Sequence, residues 1–387
     1  MRFPFHLSHI AAGFIAVLVG YTGSAAIIFQ AANTLGADNA LIASWFWALG
    51  LGMGLSCISL SLYFRQPILT AWSTPGAALL VTSLAGVSIE EAVGAFFLCS
   101  ALITLTGLTG IFDRLMRLLP PGLAAAMLAG VLFQFGTAAM SAFSENAAIV
   151  GAMLIVFLVA QVRLPRYAVP SALVVGLLIA AVQGNLSAEF IDFTPASPVW
   201  TAPEWSLSTA IGVALPLYIV TLASQNVPGI ATLRANGYDA PASPVIASTG
   251  ATGIALAGFG GYSFNFAAIT AAICMGPDVD PDPKQRYKAA VWAGVFYLLI
   301  GVFANAVAGL FTAFPSALVA AIAGLALLGT IANSLADSLS RDEARVPAIL
   351  TFLTTTSGLE LFSVGSAFWG LAVGILAWHL LRVVGRR

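Results

Sequence analysis

The sequence predicts an all-α polytopic membrane protein with fourteen transmembrane segments. They form two inverted repeats of seven, with broken half-helices at the third and tenth. Three observations carry this. Of 387 residues, 59% are hydrophobic and 8% charged, and mean hydropathy is +0.96, whereas soluble domains approach a quarter charged. All fifteen basic residues fall on one side of the alternating spans. The chain also repeats at an offset of 194 residues, with Leu119–Gly130 aligning on Ala313–Gly324. Seven spans per repeat is odd, so the second copy enters the membrane from the opposite face.

The spans run over 9–32, 39–61, 67–86, 91–111, 120–140, 146–162 and 167–183, then 207–230, 242–257, 258–276, 287–307, 315–335, 346–358 and 361–382. Fourteen crossings at ~20 residues use roughly 280, which leaves no room for an extramembrane domain. Arg2 precedes the first span, Arg65 follows the second, Arg114 and Arg117 the fourth, and Arg163 and Arg166 the sixth. Arg234 follows the eighth, Lys284, Arg286 and Lys288 the tenth, Arg341 and Arg345 the twelfth, and Arg382, Arg386 and Arg387 close the chain. The opposite loops carry Asp38, Glu90, Glu91, Glu145, Glu189, Asp192, Glu204 and Glu360, without Lys or Arg. Basic loops stay cytoplasmic, so both termini are expected inside. The longest polar connection, Gly184 to Trp205, joins the two halves outside. Met1–Ala26 has the outline of a signal peptide, but its single Arg and its apolar run on to Ala32 read as a retained first helix. Cys57, Cys99 and Cys274 fall within spans without metal or disulfide spacing and read as small packing residues.

The third span contains Trp72-Ser73-Thr74-Pro75-Gly76, and the tenth contains Tyr262-Ser263-Phe264-Asn265 after Gly258-Phe259-Gly260-Gly261. A helix that starts mid-membrane leaves N–H groups unpartnered at its positive end. Such irregular backbone survives only under protein or beside a polar cavity. Pro75-Gly76 suits a first helical turn, with Ser73 or Thr74 as cap. Ser263 or Asn265 is expected in the matching role. Two facing N-termini make an anion site. The alternative for this pair of segments is a proline-kinked helix and a glycine-rich packing contact. Alongside, the first span carries Tyr21-Thr22-Gly23-Ser24, and the eighth carries Ser224-Gln225-Asn226, the densest polar group deep in a span. Polar side chains in hydrocarbon face the bundle interior, where they bond across helices or line a pathway.

Absences narrow the function further. No Lys or Arg lies in the interior of a span, Lys288 and Arg382 falling at the ends of theirs. Asp38, Glu90, Glu91, Asp337 and Glu360 also sit at span ends, where capping or solvation is expected. His6, His9 and His379 also lie near ends, and Asp278–Pro283 reads as a solvated turn. HExxH, GxSxG and Walker patterns are missing, so the chain is not expected to be an enzyme and no cofactor is implied. The net charge of −1 offers no surface for nucleic acid.

Several segments resemble the benzoate:proton symporter family known as BenE. They are Phe3–Phe14, Gly20–Ser24, Phe29–Asn33, Thr70–Gly76, Leu217–Gly229 and Gly260–Asn265. The resemblance implies the seven-plus-seven fold of uracil/proton symporters and sulfate-type carriers. It assigns a core domain to residues 1–112 and 206–308 and a gate domain to 113–205 and 309–387. It also implies a bacterial inner-membrane location and substrate binding at Tyr21, Ser24, Ser73, Thr74, Gly76, Gln225, Asn226, Ser263, Phe264 and Asn265. Nucleobase carriers of this fold place acidic side chains where this chain has Gln225, Asn226 and Asn265. Amides, hydroxyls and helix N-termini instead suit a carboxylate, with Phe29, Phe264 and Phe266 as an apolar wall. The expected function is import of benzoate or a similar aromatic carboxylate with a proton. The expected partners are that substrate, a proton, lipid and, in some assemblies, a second copy of the chain. The alternatives are a carrier for another small anion or a nucleobase, or an uncoupled facilitator.

Overall fold

In hydrocarbon a backbone must satisfy its own hydrogen bonds, and this chain does so chiefly as helix. The computed structural model describes residues 7–384 apart from 113, 115–121, 187–191, 240, 268 and 363. Arg117, Pro121 and Glu189 therefore lie outside the described residues. Helix α1 (Leu7–Thr34) bends by 41° between Thr22 and Ser24. Helix α2 (Asn39–Phe64) starts where the Asp38 carboxylate accepts from Leu41 N–H at 2.8 Å. Strand β1 (Thr70–Trp72) leads into the ten-residue α3 (Thr74–Ser83). Helix α4 (Ile89–Thr109) opens with a capping box of Ser88 and Glu91. The first half ends with α5 (Leu123–Ser141), α6 (Ala147–Arg163) and α7 (Ala168–Val182). The capping expected of Asp38 and Glu91 is present.

The second half begins with α8 (Leu207–Ala235), which contains two π-helical turns, and α9 (Ala242–Leu256). Strand β2 (Phe264–Phe266) precedes the short α10 (Ile269–Ile273). Helices α11 (Tyr287–Val302), α12 (Ala304–Ala313), α13 (Ser316–Ser338), α14 (Arg345–Thr356) and α15 (Ser366–Val384) complete the chain. Among the described residues seven helices are long and apolar enough to cross a bilayer, or nine if each of two bent pairs counts as one span. The eleventh span departs from expectation. It stops at Val302, turns by 69° and continues as α12. That short helix buries Ala304, Ala308 and Phe311, a spacing of i, i+4 and i+7, and packs against α2.

Helix α2 packs along α11, α4 along α9, and α1 against α3 and α11. A second group pairs α5 with α13, α6 with α7, and α14 with both α15 and α5. Small residues allow close crossings: a Cβ on Gly50 would stand 2.6 Å from Gly301 Cα. The polar connection between the halves lies across four helix ends. Ala196 N–H donates to Val302 O at 2.8 Å, Val199 N–H to Ser44 Oγ at 2.9 Å, Thr201 N–H to Gly258 O at 2.8 Å, and Glu204 N–H to Glu90 O at 2.9 Å. The start of α2, the start of α4, the end of α9 and the end of α11 therefore share one face.

Strands β1 and β2 pair antiparallel, with Thr70 opposite Phe266, Ala71 opposite Asn265 and Trp72 opposite Phe264. The central pair is separated by 194 positions, the same offset as the sequence repeat. A two-fold axis relating the repeats would pass through this pair.

Candidate functional site

The broken third span is held by its neighbour. Thr70 N–H donates to Cys57 Sγ at 3.1 Å, Thr70 Oγ1 meets Ser56 Oγ at 2.6 Å, and Trp72 N–H points at Met53 Sδ at 3.2 Å. Residues of α2 thus replace the partners that a helix would have supplied. Cys57 is more than the packing residue expected, because its sulfur also serves the strand backbone. All three cysteines are free and buried, and the described residues hold no cluster able to bind a metal. Ser73 then caps α3, its Oγ accepting from Gly76 N–H at 3.0 Å with Pro75 in the first turn. Thr74 is the first helical residue and is half-buried. Gly76 must lack a side chain, since a Cβ there would stand 2.6 Å from Leu217 Cδ1 of α8.

The tenth span is built differently. Gly260 turns the chain at φ +96°, pressed against the Trp45 ring, where only glycine fits. Ser263 and Thr221 share a hydrogen bond of 3.0 Å between hydroxyls, both buried. Asn265, in the amide orientation its neighbours demand, accepts from Ser73 N–H at 3.0 Å and donates to Phe266 O at 2.8 Å. Asn226 accepts from Phe266 N–H at 3.1 Å. Ser263 and Asn265, one of which is expected from the sequence to cap this helix, are engaged elsewhere: Ser263 with Thr221 of α8, Asn265 with the backbone of Ser73 and Phe266. Position 268, just before α10, lies outside the described residues.

Helix α8 reaches the crossing through a π-helical turn over Leu222–Asn226. Such a turn inserts a residue and reorients the side chains beside it. Asn226 consequently points into the fold and is fully buried, while Gln225 is half-buried without a side-chain hydrogen bond to the described residues. On α1, Ser24 donates to Gly20 O at 2.8 Å and accepts from Trp72 Nε1 at 2.7 Å. The Tyr21 hydroxyl is buried and unpartnered, with its ring 4.7 Å from that of Trp72.

All ten sequence-selected residues thus belong to α1, the two half-helix segments or α8. Phe264 lies against Gly52 of α2 and Gly253 of α9, and Phe266 lies against Gly229. Alternation along β2 sends both rings to one face and Asn265 to the other. Of the three phenylalanines expected as a wall, only Phe29 is half-buried.

Four contacts were not foreseen from the sequence. Trp72, Thr221 and Tyr262 join the network, Tyr262 donating to Ser73 O at 3.0 Å. The fourth is an acid–base pair: His9 is fully buried and its Nε2 lies 2.8 Å from Asp280 Oδ2. The Asp278–Pro283 turn is therefore not simply solvated as expected. Asp280 is 9% exposed because the start of α1 covers it, and buried Arg286 donates to Asp280 O at 2.7 Å. No local sequence signal links position 9 to position 280.

Two strands crossing between helices that begin inside the fold define a membrane transport architecture, and solved structures share it. The murine solute carrier 26 family member A9, an anion transporter in the inward-facing state, matches 99% of this chain and 69% of its own. The TM-score is 0.61 at 13% identity. The transmembrane domain of the cyanobacterium bicarbonate transporter BicA matches 95% of this chain and 97% of its own, with a TM-score of 0.57 at 12% identity. The sequence matches the family model for the benzoate membrane transport protein, BenE, over residues 3–380. It is 48% identical to the inner membrane protein YdcO of Escherichia coli over 98% of this chain and 97% of that protein. It is 42% identical to the benzoate membrane transport protein of Acinetobacter baylyi over 97% and 95%. The chain belongs to the benzoate membrane transport protein family and is a transporter, not an enzyme.

Proposed function

We propose that this protein is a secondary active transporter that imports benzoate, or a similar aromatic carboxylate, together with a proton. The observation that carries the substrate class is the chemistry of the crossing. The polar side chains described there, those of Tyr21, Ser73, Thr74, Gln225, Asn226, Ser263 and Asn265, are hydroxyls and amides, with no carboxylate among them. A bound anion needs donors and is repelled by carboxylates. The ten-residue α3 adds the positive end of its dipole behind the Ser73 cap. In this reading Tyr21, Thr74, Gly76 and Gln225 line the bound substrate. Ser24, Ser73, Asn226, Ser263, Phe264 and Asn265 hold the frame around it.

Fourteen spans with both termini cytoplasmic, arranged as two inverted repeats, account for the charge alternation. The packing pairs support that arrangement, because an offset of seven spans converts α2–α11 into α9–α4, and α6–α7 into α14–α15. Residues 1–112 and 206–308 form the core in this reading, and 113–205 and 309–387 the gate. The core rocks against the gate and exposes one central site to each side in turn.

Uptake of labelled benzoate into proteoliposomes under an inward proton gradient tests the reading, with protein-free vesicles alongside because benzoic acid crosses lipid unaided. Saturable, protein-dependent accumulation that collapses with a protonophore is the expected result. Saturable exchange that ignores the gradient would leave a facilitator and remove proton coupling. Uptake of bicarbonate, sulfate or uracil that benzoate does not compete with would overturn the substrate.

A further inference from the structure

A chain of aromatic rings leads away from the crossing strands to α12. Trp72 meets Tyr21 at 4.7 Å, Tyr21 stacks on Phe46 at 6.2 Å, and Phe46 stacks on Phe311 of α12 at 6.2 Å with ring planes 11° apart. Phe311 then stacks on Phe29 at 5.8 Å and meets Phe314 edge-on at 5.4 Å. Tyr21 and Phe29 are eight residues apart on α1, about 12 Å along its axis. The chain therefore runs from the crossing toward the end of α1 nearest the polar connection between the halves.

We propose that Phe311, with Phe29 and Phe46, is a ring-selective outer gate on the substrate's route to the crossing. This rests on the proposed function, since it concerns the route of the same substrate. The physical reason is exchange of partners. A closed gate made of stacked rings opens at a cost, because offset and edge-on contacts are lost. A flat aromatic acid passing through restores those contacts with its own faces, and a saturated ring cannot. The ring stack joins α1 and α2 to α12, which meets α11 at a 69° turn. Selectivity for the ring is then exerted before the carboxylate reaches the donors at the crossing.

The test compares benzoate with cyclohexanecarboxylate, which has the same charge and similar size but no π face. Labelled benzoate uptake in proteoliposomes is measured for the wild type, Phe311→Leu and Phe311→Tyr, with cyclohexanecarboxylate as competitor. Phe311→Leu is expected to raise the half-saturating benzoate concentration about three- to tenfold, the range an aromatic contact supports. The inhibitory concentration of cyclohexanecarboxylate should move less than about twofold, and Phe311→Tyr should restore benzoate. Equal losses for both acids, or an unchanged benzoate value, would overturn the gate. Phe29→Leu, at the half-buried edge of the stack, gives the same comparison if Phe311→Leu does not fold. A wild type that takes up no benzoate removes the proposed function and this gate with it. A wild type that transports benzoate with unaltered selectivity in both leucine variants removes the gate alone.

Discussion

The first arm of the crossing, Thr70–Ser83, and the second, Phe264–Ile273, hydrogen-bond to each other about a symmetric centre, yet their polar side chains serve different ends. In the first, Ser73 caps a ten-residue helix and leaves half-buried Thr74 in its opening turn. In the second, Ser263 is tied to Thr221 and Asn265 to Ser73 N–H, ahead of a helix of five residues. Symmetry of the backbone therefore does not carry over to the chemistry. One arm offers a capped helix start, and the other spends its hydroxyl on α8 and its amide on the first arm. Asn226 belongs with the second arm, because its amide serves Phe266 N–H from the π-helical turn of α8.

That contrast can be broken at its strongest point first. Asn226→Leu should leave Phe266 N–H buried without an acceptor, at a cost of about 1–3 kcal/mol. Benzoate binding should vanish while membrane insertion is unchanged; Asn265→Leu should behave alike through Ser73 N–H. Thermal unfolding in detergent and equilibrium binding read both, and normal binding by both variants would sink the assignment of the crossing as the site. Gly76→Val comes next, since its new methyls meet Leu217, and overpacking of this kind costs about 1–3 kcal/mol. It should lower the unfolding temperature and slow uptake, because α3 is pushed away from α8.

Smaller effects sharpen the comparison between the arms. Ser73→Ala should cost about 1 kcal/mol through the lost cap, and Ser73→Gly only a few tenths. Ser263→Ala should cost about 0.6 kcal/mol, the average for a hydrogen bond between membrane helices. In binding assays the Ser73 variant should lose more benzoate affinity than the Ser263 variant; the reverse order would mean the second arm carries the anion. Gln225→Leu should change stability by less than about 0.5 kcal/mol, since no described partner is lost. It should still raise the half-saturating benzoate concentration, which separates a lining role from a framing one.

The amino-acid sequence by itself determined that the chain lives in a membrane, where most of its helices lie, and that the third and tenth segments lose their helix partway. These follow from local terms: the length of apolar runs, the position of Pro75 and the glycines, and the capping residues Asp38 and Ser73. The central strand pair, Ala71 and Asn265, is separated by the repeat offset of 194, but no strand was legible in the sequence. Tertiary structure decided which polar groups remain free to meet a ligand. Ser263 or Asn265 reads as a cap in the sequence, but the strand pairing brings Ser73 N–H to Asn265, and the packing of α8 brings Thr221 to Ser263. The turn of α12, the π-helical turn at Gln225-Asn226 and the His9–Asp280 contact were equally out of view. Each depends on a partner far away in the chain, and in hydrocarbon a buried polar group takes the nearest partner the fold provides, whatever its sequence separation.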